Sequence, residues 1–198
     1  MVGIDPSPWT HLLSLDAISV RFGREAVDVL HRPDWEPSYS CPYRYFHRLQ
    51  PGESWWDLPE ADPAKASQTF VVQPDTRPIP PDIVAARELI AAGAASAYSV
   101  DLWAGSVAVM DSGMEGVDPT ANVRVLLQLF HHANGGSYGG FPDVVAFWPD
   151  GTITRREIKL HGSDRLQDNQ HRAADVLRDL IGSKLDLRLI SWGRKHAP

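Results

Sequence analysis

Asp143, Glu157 and Lys159 are the residues whose types and spacing carry the most chemistry in this chain. Residues 144–148 form an apolar run, Pro149-Asp150-Gly151 is a turn signal, and residues 152–160 resume with β-branched side chains, a pattern that predicts a hairpin. Asp143 opens the first strand. Glu157 and Lys159 stand two apart on the second, so they share a face while Ile158 turns the other way. A turn centred on Asp150 and Gly151 sets position 143 opposite about position 158, within one residue of both. Two carboxylates and an ammonium at one end of a hairpin suit a hard divalent cation, because Mg²⁺ prefers oxygen ligands. Such a cation stabilises charge on a phosphodiester oxygen and on the leaving group, and the lysine can position or activate the attacking water.

The neighbouring elements must hold these groups. A helix is predicted from about Asp164, whose spacing to Gln167 fits a capping box, to about Ile181 before Gly182. Leu166, Ala173, Leu177 and Leu180 or Ile181 form its apolar stripe, and Gln170 falls within that stripe. An amide on a core-facing row costs about 1–3 kcal/mol if unpaired. Its partner is therefore either the hairpin carboxylates or nearby backbone. Residues 185–192 alternate as a last strand. Upstream, Pro80-Pro81-Asp82 and an Ala-rich run predict a helix through Tyr98, followed by a strand over 100–110. A second helix has Asp118 as N-cap, Pro119 at its first position and Val123, Leu126, Leu127 and Phe130 on one face, ending near Asn134. The stretch of residues 12–30 is also expected to contain a helix. This order predicts an α/β fold, a mixed β-sheet flanked by helices.

The chain has 198 residues, 43% hydrophobic and 22% charged, enough for one ordinary core. A net charge of −6 argues against a general polyanion coat. Residues 1–120 hold 8 basic and 17 acidic side chains, and residues 121–198 hold 11 and 8, so only the second part suits a polyanion. Twelve of the 16 prolines and four of the seven tryptophans lie at or before residue 81. Residues 1–80 are therefore expected to be a loop-rich, aromatic-packed region of unassigned role, and residues 81–198 the functional domain. Cys41 stands alone, so no intrachain disulfide or Cys-based zinc site can form, which points to a reducing, cytoplasmic setting. No leader or 18-residue apolar run suggests a membrane.

Five Pro-Asp pairs occur, at Asp34, Asp75, Asp82, Asp143 and Asp150, but only Asp143 opens an apolar strand. The informative feature is the ordered set Pro142-Asp143, strand, turn, Glu157-Ile158-Lys159, Asp164-Arg165-Leu166 and Gln170. Residues 139–181 resemble the VRR-NUC branch of the PD-(D/E)XK nuclease superfamily, which includes the nuclease domain of Fanconi-associated nuclease. Gly140, Pro142, Asp143, Glu157, Lys159, Asp164, Leu166 and Gln170 match the pattern. His161-Gly162 stands where that family has a Gly-Pro-like turn. The resemblance implies a restriction-endonuclease-like sheet and hydrolysis of DNA phosphodiester bonds, often at flaps, junctions or other structured ends. Asp143 and Glu157 would bind Mg²⁺ or Mn²⁺, Lys159 would assist the water, and Gln170 would complete the site. A further acid from an upstream helix is implied, with Glu88 the first choice and Glu115 the second.

Arg155 and Arg156 are the first candidates for phosphate contact, with Lys184, Arg188, Arg194 and Lys195 further off. The acidic front half suggests targeting through a homodimer or a protein partner. A nuclease-like scaffold that binds DNA or protein without cutting is the competing class. Gly135-Gly136-Ser137-Tyr138-Gly139 satisfies the Gly-x-Ser-x-Gly pattern, but a helix precedes it and a strand follows, the reverse of a nucleophile elbow. His131 and His132 point about 100° apart on a helix and read as helix-end polar residues. His171, beside Gln170 and off the apolar stripe, is expected to face solvent.

Overall fold

The computed structural model describes residues 18–35, 37–38, 50–54, 71–72, 79–103, 106–162 and 164–193. Trp9, Trp55, Trp56, Cys41, Arg194 and Lys195 lie outside them.

Where a helix was expected within residues 12–30, the described part is a hairpin of β1 (Ser19–Phe22) and β2 (Glu25–Arg32). The alternation Val27, Val29 buries one face of β2, and Gly23 turns the chain with φ +74°. Helical propensity loses here to period-two burial. A two-stranded pair follows, β3 (Pro37–Ser38) with β4 (Val71–Val72). Helix α1 (Pro81–Ala91) starts at the predicted proline but stops before Gly93, well short of Tyr98. The residues beyond it form β5 (Ser96–Trp103), which pairs with β6 (Ser106–Asp111), so the single strand expected over 100–110 is a second hairpin.

Helix α2 (Ala121–Ala133) has Thr120 rather than Asp118 at its N-cap position, without a side-chain capping bond, and ends at Asn134 as expected. The hairpin β7 (Val144–Phe147) and β8 (Ile153–Leu160) is present. Helix α3 (Asp168–Ile181) begins later than predicted, with Gln167 and Gln170 making the capping box. Asp164 instead accepts a hydrogen bond from the Leu160 N–H and closes the end of β8. Strand β9 (Leu185–Trp192) follows, where the last strand was expected.

Seven strands form one mixed sheet in the order β1-β2-β9-β8-β7-β5-β6, with β9 parallel to both β2 and β8. β1 and β2, from the stretch before residue 81, are thus strands of the same sheet that carries the hairpin. Helix α1 covers one face, where Ile83, Val84 and Ala86 meet Ala97, Val144, Ala146, Ile158 and Leu160. Helices α2 and α3 cover the other, where Leu126, Leu127, Phe130, Ala173 and Leu177 meet Val100, Val109 and Val145. Both faces of β7 and β8 are therefore buried, which is why those strands read as apolar runs. No helix among the described residues is long and apolar enough to cross a membrane.

Candidate functional site

The last β7–β8 ladder pair is Val144 with Arg156, so the next step sets Asp143 opposite Glu157, one residue from the position expected. The turn centres on Asp150 alone, with the Trp148 N–H donating to the Thr152 carbonyl (3.0 Å). Past that pair the strands part, and Asp143 Oδ2 accepts the Ile158 N–H at 2.8 Å. A carboxylate thus replaces a strand partner at the open end of the hairpin. The approach to Asp143 is tightly fixed. Gly140 has φ +85°, and a Cβ there would stand 2.2 Å from the Asn169 carbonyl oxygen, so only glycine lets this loop meet the start of α3. Phe141 packs on Phe130 of α2, ring centroids 4.9 Å apart.

Glu157 and Lys159 project from β8 toward α3, with Glu157 0% exposed. Glu157 Oε1 lies 2.6 Å from Lys159 Nζ and also accepts a hydrogen bond from Gln170 Nε2. Gln170 Oε1 in turn accepts the Gln167 N–H at 2.9 Å. Of the two partners open to Gln170 from sequence, the structure therefore uses both: the hairpin carboxylate and local backbone. Glu157 Oε2 is buried without a hydrogen-bond partner.

Of the upstream acids, Asp82 is the one that stands beside Asp143; Glu88 and Glu115 lie elsewhere. Asp82 lies in the first turn of α1 and accepts a hydrogen bond from Ser99 Oγ on β5. Ser99 pairs with Val144 in the sheet, which brings Asp82 beside Asp143. Glu88 is occupied by Arg32 on the exposed side of α1, where Arg32 also holds Asp34 and stacks over Trp35 at 4.3 Å. Glu115 sits in the turn after β6, bridged to Ser54. Asp82 is one of five Pro-Asp pairs and opens no strand, so local spacing does not mark it. Its signal was position in the first helical turn after Pro81.

These acids burden one another. Burial, reinforced by the charge of Asp143, pushes the Glu157 carboxyl up to about 8 and the Asp82 carboxyl up to about 7. Burial also raises Asp143, against the pull of Lys159 and the Ile158 N–H. Burial alone would lower the Lys159 ammonium, but Glu157 and Asp143 hold it above its ordinary value.

The arginines expected at a phosphate-facing surface are inside the protein. Arg155 is 0% exposed, lies 3.6 Å from the Phe141 ring centroid and donates to the Pro142 carbonyl (3.3 Å). Arg156 is buried on the opposite face and pairs with Asp186 at 2.7 Å. Both are thereby withdrawn from direct phosphate contact. Lys184 donates to the Asp150 carbonyl and Arg188 pairs with Asp186. His171 is also buried rather than solvated, its Nδ1 accepting the Gly23 N–H at 3.0 Å and so tying the β1–β2 turn to α3. Ser137 is a turn residue whose Oγ accepts the Gly139 N–H at 3.0 Å.

The donor set fits a hard divalent cation: Asp143 and Glu157 supply carboxylate oxygens, and the unpartnered Glu157 Oε2 lacks a charge to satisfy it. No group of three His, Cys, Asp or Glu side chains among the described residues is gathered closely enough to hold an ion unaided. Further ligands would be water or backbone oxygens, as suits Mg²⁺, which keeps several waters. Gln170 sets the orientation of Glu157, so Gln170→Ala is expected to destabilise the metal-free protein by about 1–3 kcal/mol in urea denaturation, the cost of a buried acid losing a donor.

Comparison with family models, with curated proteins and with solved structures returned no match.

Proposed function

We propose that this protein is a metal-dependent nuclease of the PD-(D/E)XK type that hydrolyses DNA phosphodiester bonds. One observation carries the reading. At the open end of the β7–β8 hairpin, a fully buried glutamate is gripped on one oxygen by Lys159 and Gln170 and left bare on the other, with Asp143 directly across the strand gap. Lys159 compensates only the first oxygen; leaving the second buried and bare costs free energy that a bound cation would recover.

Asp143 and Glu157 would hold Mg²⁺ or Mn²⁺, which when bound supplies Lewis-acid stabilisation of charge on the phosphodiester. Lys159 keeps its proton against burial and can orient the attacking water or receive negative charge built on the phosphate. Asp143 is fixed by the Ile158 N–H and Glu157 by Gln170, so neither must reorganise during the reaction. Asp82, beside Asp143 and pushed up to about 7, adds negative charge once it ionises, which favours a bound cation. DNA is the substrate class that the family pattern supports, with structured ends such as flaps and junctions the first to try.

The test is incubation with branched and single-stranded DNA in Mg²⁺ or Mn²⁺. The parent is expected to cut, chelation to stop it, and Lys159→Ala to lower the rate about 10²–10⁴-fold, the range of a lost proton-handling or charge-stabilising group. Equal cutting by parent and variant would trace the activity to a contaminant. Equal binding without any cutting would favour a silent DNA-binding scaffold.

A further inference from the structure

The antiparallel ladder of β7 and β8 breaks its own pattern at the open end of the hairpin. Trp148 donates its N–H to the Thr152 carbonyl, so the hydrogen-bonded pairs step by two: Trp148 with Thr152, Ala146 with Thr154, Val144 with Arg156, and next Pro142 with Ile158. On that count the Ile158 N–H belongs to the Pro142 carbonyl. It goes instead to Asp143 Oδ2 at 2.8 Å, while the Asp143 carbonyl keeps its place in the sheet by accepting the Val100 N–H at 2.9 Å. A side chain has taken the acceptor role of the preceding backbone group. Proline has no N–H to offer in return, so this rung was already half missing.

The exchange orphans the Pro142 carbonyl, whose residue is buried and which needs a donor. Arg155 supplies it. Nη2 donates to the Pro142 carbonyl at 3.3 Å, from a guanidinium that is fully buried and lies 3.6 Å from the Phe141 ring centroid. Nε and Nη1 have no hydrogen-bond partner among the described residues, so one donor is all that the group spends here. Stacking on Phe141 suits its flat shape, but a leucine or methionine would fill the same space and leave the carbonyl bare.

We infer that Arg155 is a positioning residue: it replaces the Ile158 N–H at the Pro142 carbonyl and so frees that N–H to hold the Asp143 carboxylate in the strand gap. Without the guanidinium, the bare carbonyl competes for the Ile158 N–H, the ladder closes one rung further, and the carboxylate loses its anchor. This exchange of donors needs neither metal nor DNA. Its consequence for cleavage rests on the nuclease reading, in which Asp143 is a ligand that must stay in place.

The experiment follows scalar couplings across hydrogen bonds by NMR, on the full chain labelled with ¹³C and ¹⁵N and free of metal. In the parent, the Ile158 amide nitrogen should couple to the Asp143 side-chain carboxyl carbon and not to the Pro142 carbonyl carbon. In Arg155→Met, which keeps the packing and removes the donor, the coupling should move to Pro142. Arg155→Lys, which returns a donor, should restore the parental pattern. Steady-state DNA cleavage in Mg²⁺ gives the second readout. In Arg155→Met, kcat should fall about tenfold to a hundredfold, as for a slightly displaced catalytic group, with KM within about twofold of the parent because Arg155 is buried away from substrate. Circular dichroism establishes that each variant is folded; should Arg155→Met not fold, Ile158 coupled to Asp143 in the parent upholds the exchange and Ile158 coupled to Pro142 overturns it. A coupling that stays on Asp143 in a folded Arg155→Met, or a parental kcat in a variant whose coupling has moved, would also overturn the inference. If no protein cuts DNA, the parent included, while the couplings behave as expected, the nuclease reading falls and the role of Arg155 in the hairpin stands.

Discussion

Asp143→Asn is expected to remove divalent-ion binding and Mg²⁺-dependent cleavage together, while the protein stays folded. An asparagine has the shape of aspartate, and its side-chain carbonyl can still accept the Ile158 N–H that Asp143 Oδ2 now takes at 2.8 Å. What disappears is one negative charge beside Arg155 and Lys159, whose fields then face the incoming cation with less opposition. Lewis-acid stabilisation is worth several kcal/mol, and each ~1.4 kcal/mol is tenfold in rate, so the loss should be about a thousandfold or more. Single-turnover cleavage and Mn²⁺ binding on the same preparation check it. A variant that binds Mn²⁺ normally yet cuts no DNA would move Asp143 from ligand to another role, and one that does both normally would exclude it from the site.

The second large effect is a stability that falls as pH rises. Glu157 ionises at about 8 in the folded protein against an ordinary 4.5, and Asp82 at about 7 against 3.8. Between roughly pH 4 and pH 8 the unfolded chain has released protons that the folded chain still holds, so rising pH favours unfolding. Carboxyls held below their ordinary value, such as Asp34 beside Arg32 and Asp186 beside Arg156, act in the opposite sense but have finished doing so below about pH 4. The metal-free Tm should therefore drop between about pH 5 and pH 8.5. Added Mg²⁺ or Mn²⁺ displaces those protons, so its stabilising effect should grow over the same interval and cleavage should rise with it. Thermal unfolding at both pH values, with and without the ion, reads this directly. A Tm that climbs steadily to pH 8.5 without metal would contradict the buried-acid account.

The parts legible in the sequence were those where one local pattern and one burial pattern agreed. The hairpin of residues 144–160 follows from an apolar run, a Pro-Asp-Gly turn and β-branched residues, and it appears as expected. The end of α2 at Asn134 and the last strand follow from equally local signals. Gln170 was legible as an anomaly, a polar group on an apolar row, and the structure gives it Glu157. The failures have a common cause: tertiary contacts that outweigh local propensity. Residues 19–32 form strands because β2 pairs in parallel with β9, more than 150 residues away in sequence. His171 is buried because the Gly23 turn docks on it, and Gly23 must be glycine there, since a Cβ would stand 2.2 Å from Asp175 Oδ1. Alternation placed Arg155 on the correct face of β8, yet could not show that this face lies beneath Phe141 rather than at the surface. Asp82 comes beside Asp143 only because α1 crosses β5 at Ser99, a packing fact with no trace in local spacing.

Asp143 and Glu157 sharing one divalent ion beside Lys159 is what the proposed activity depends on. A crystal soaked in Mn²⁺ and measured at the manganese absorption edge tests it most directly. One anomalous peak is expected between the two carboxylates, within about 2–2.5 Å of an oxygen of each, as oxygen-ligated ions of this size require. A strong peak elsewhere on the protein with none in the β7–β8 gap, or carboxylates turned to different sides of the sheet, would contradict it.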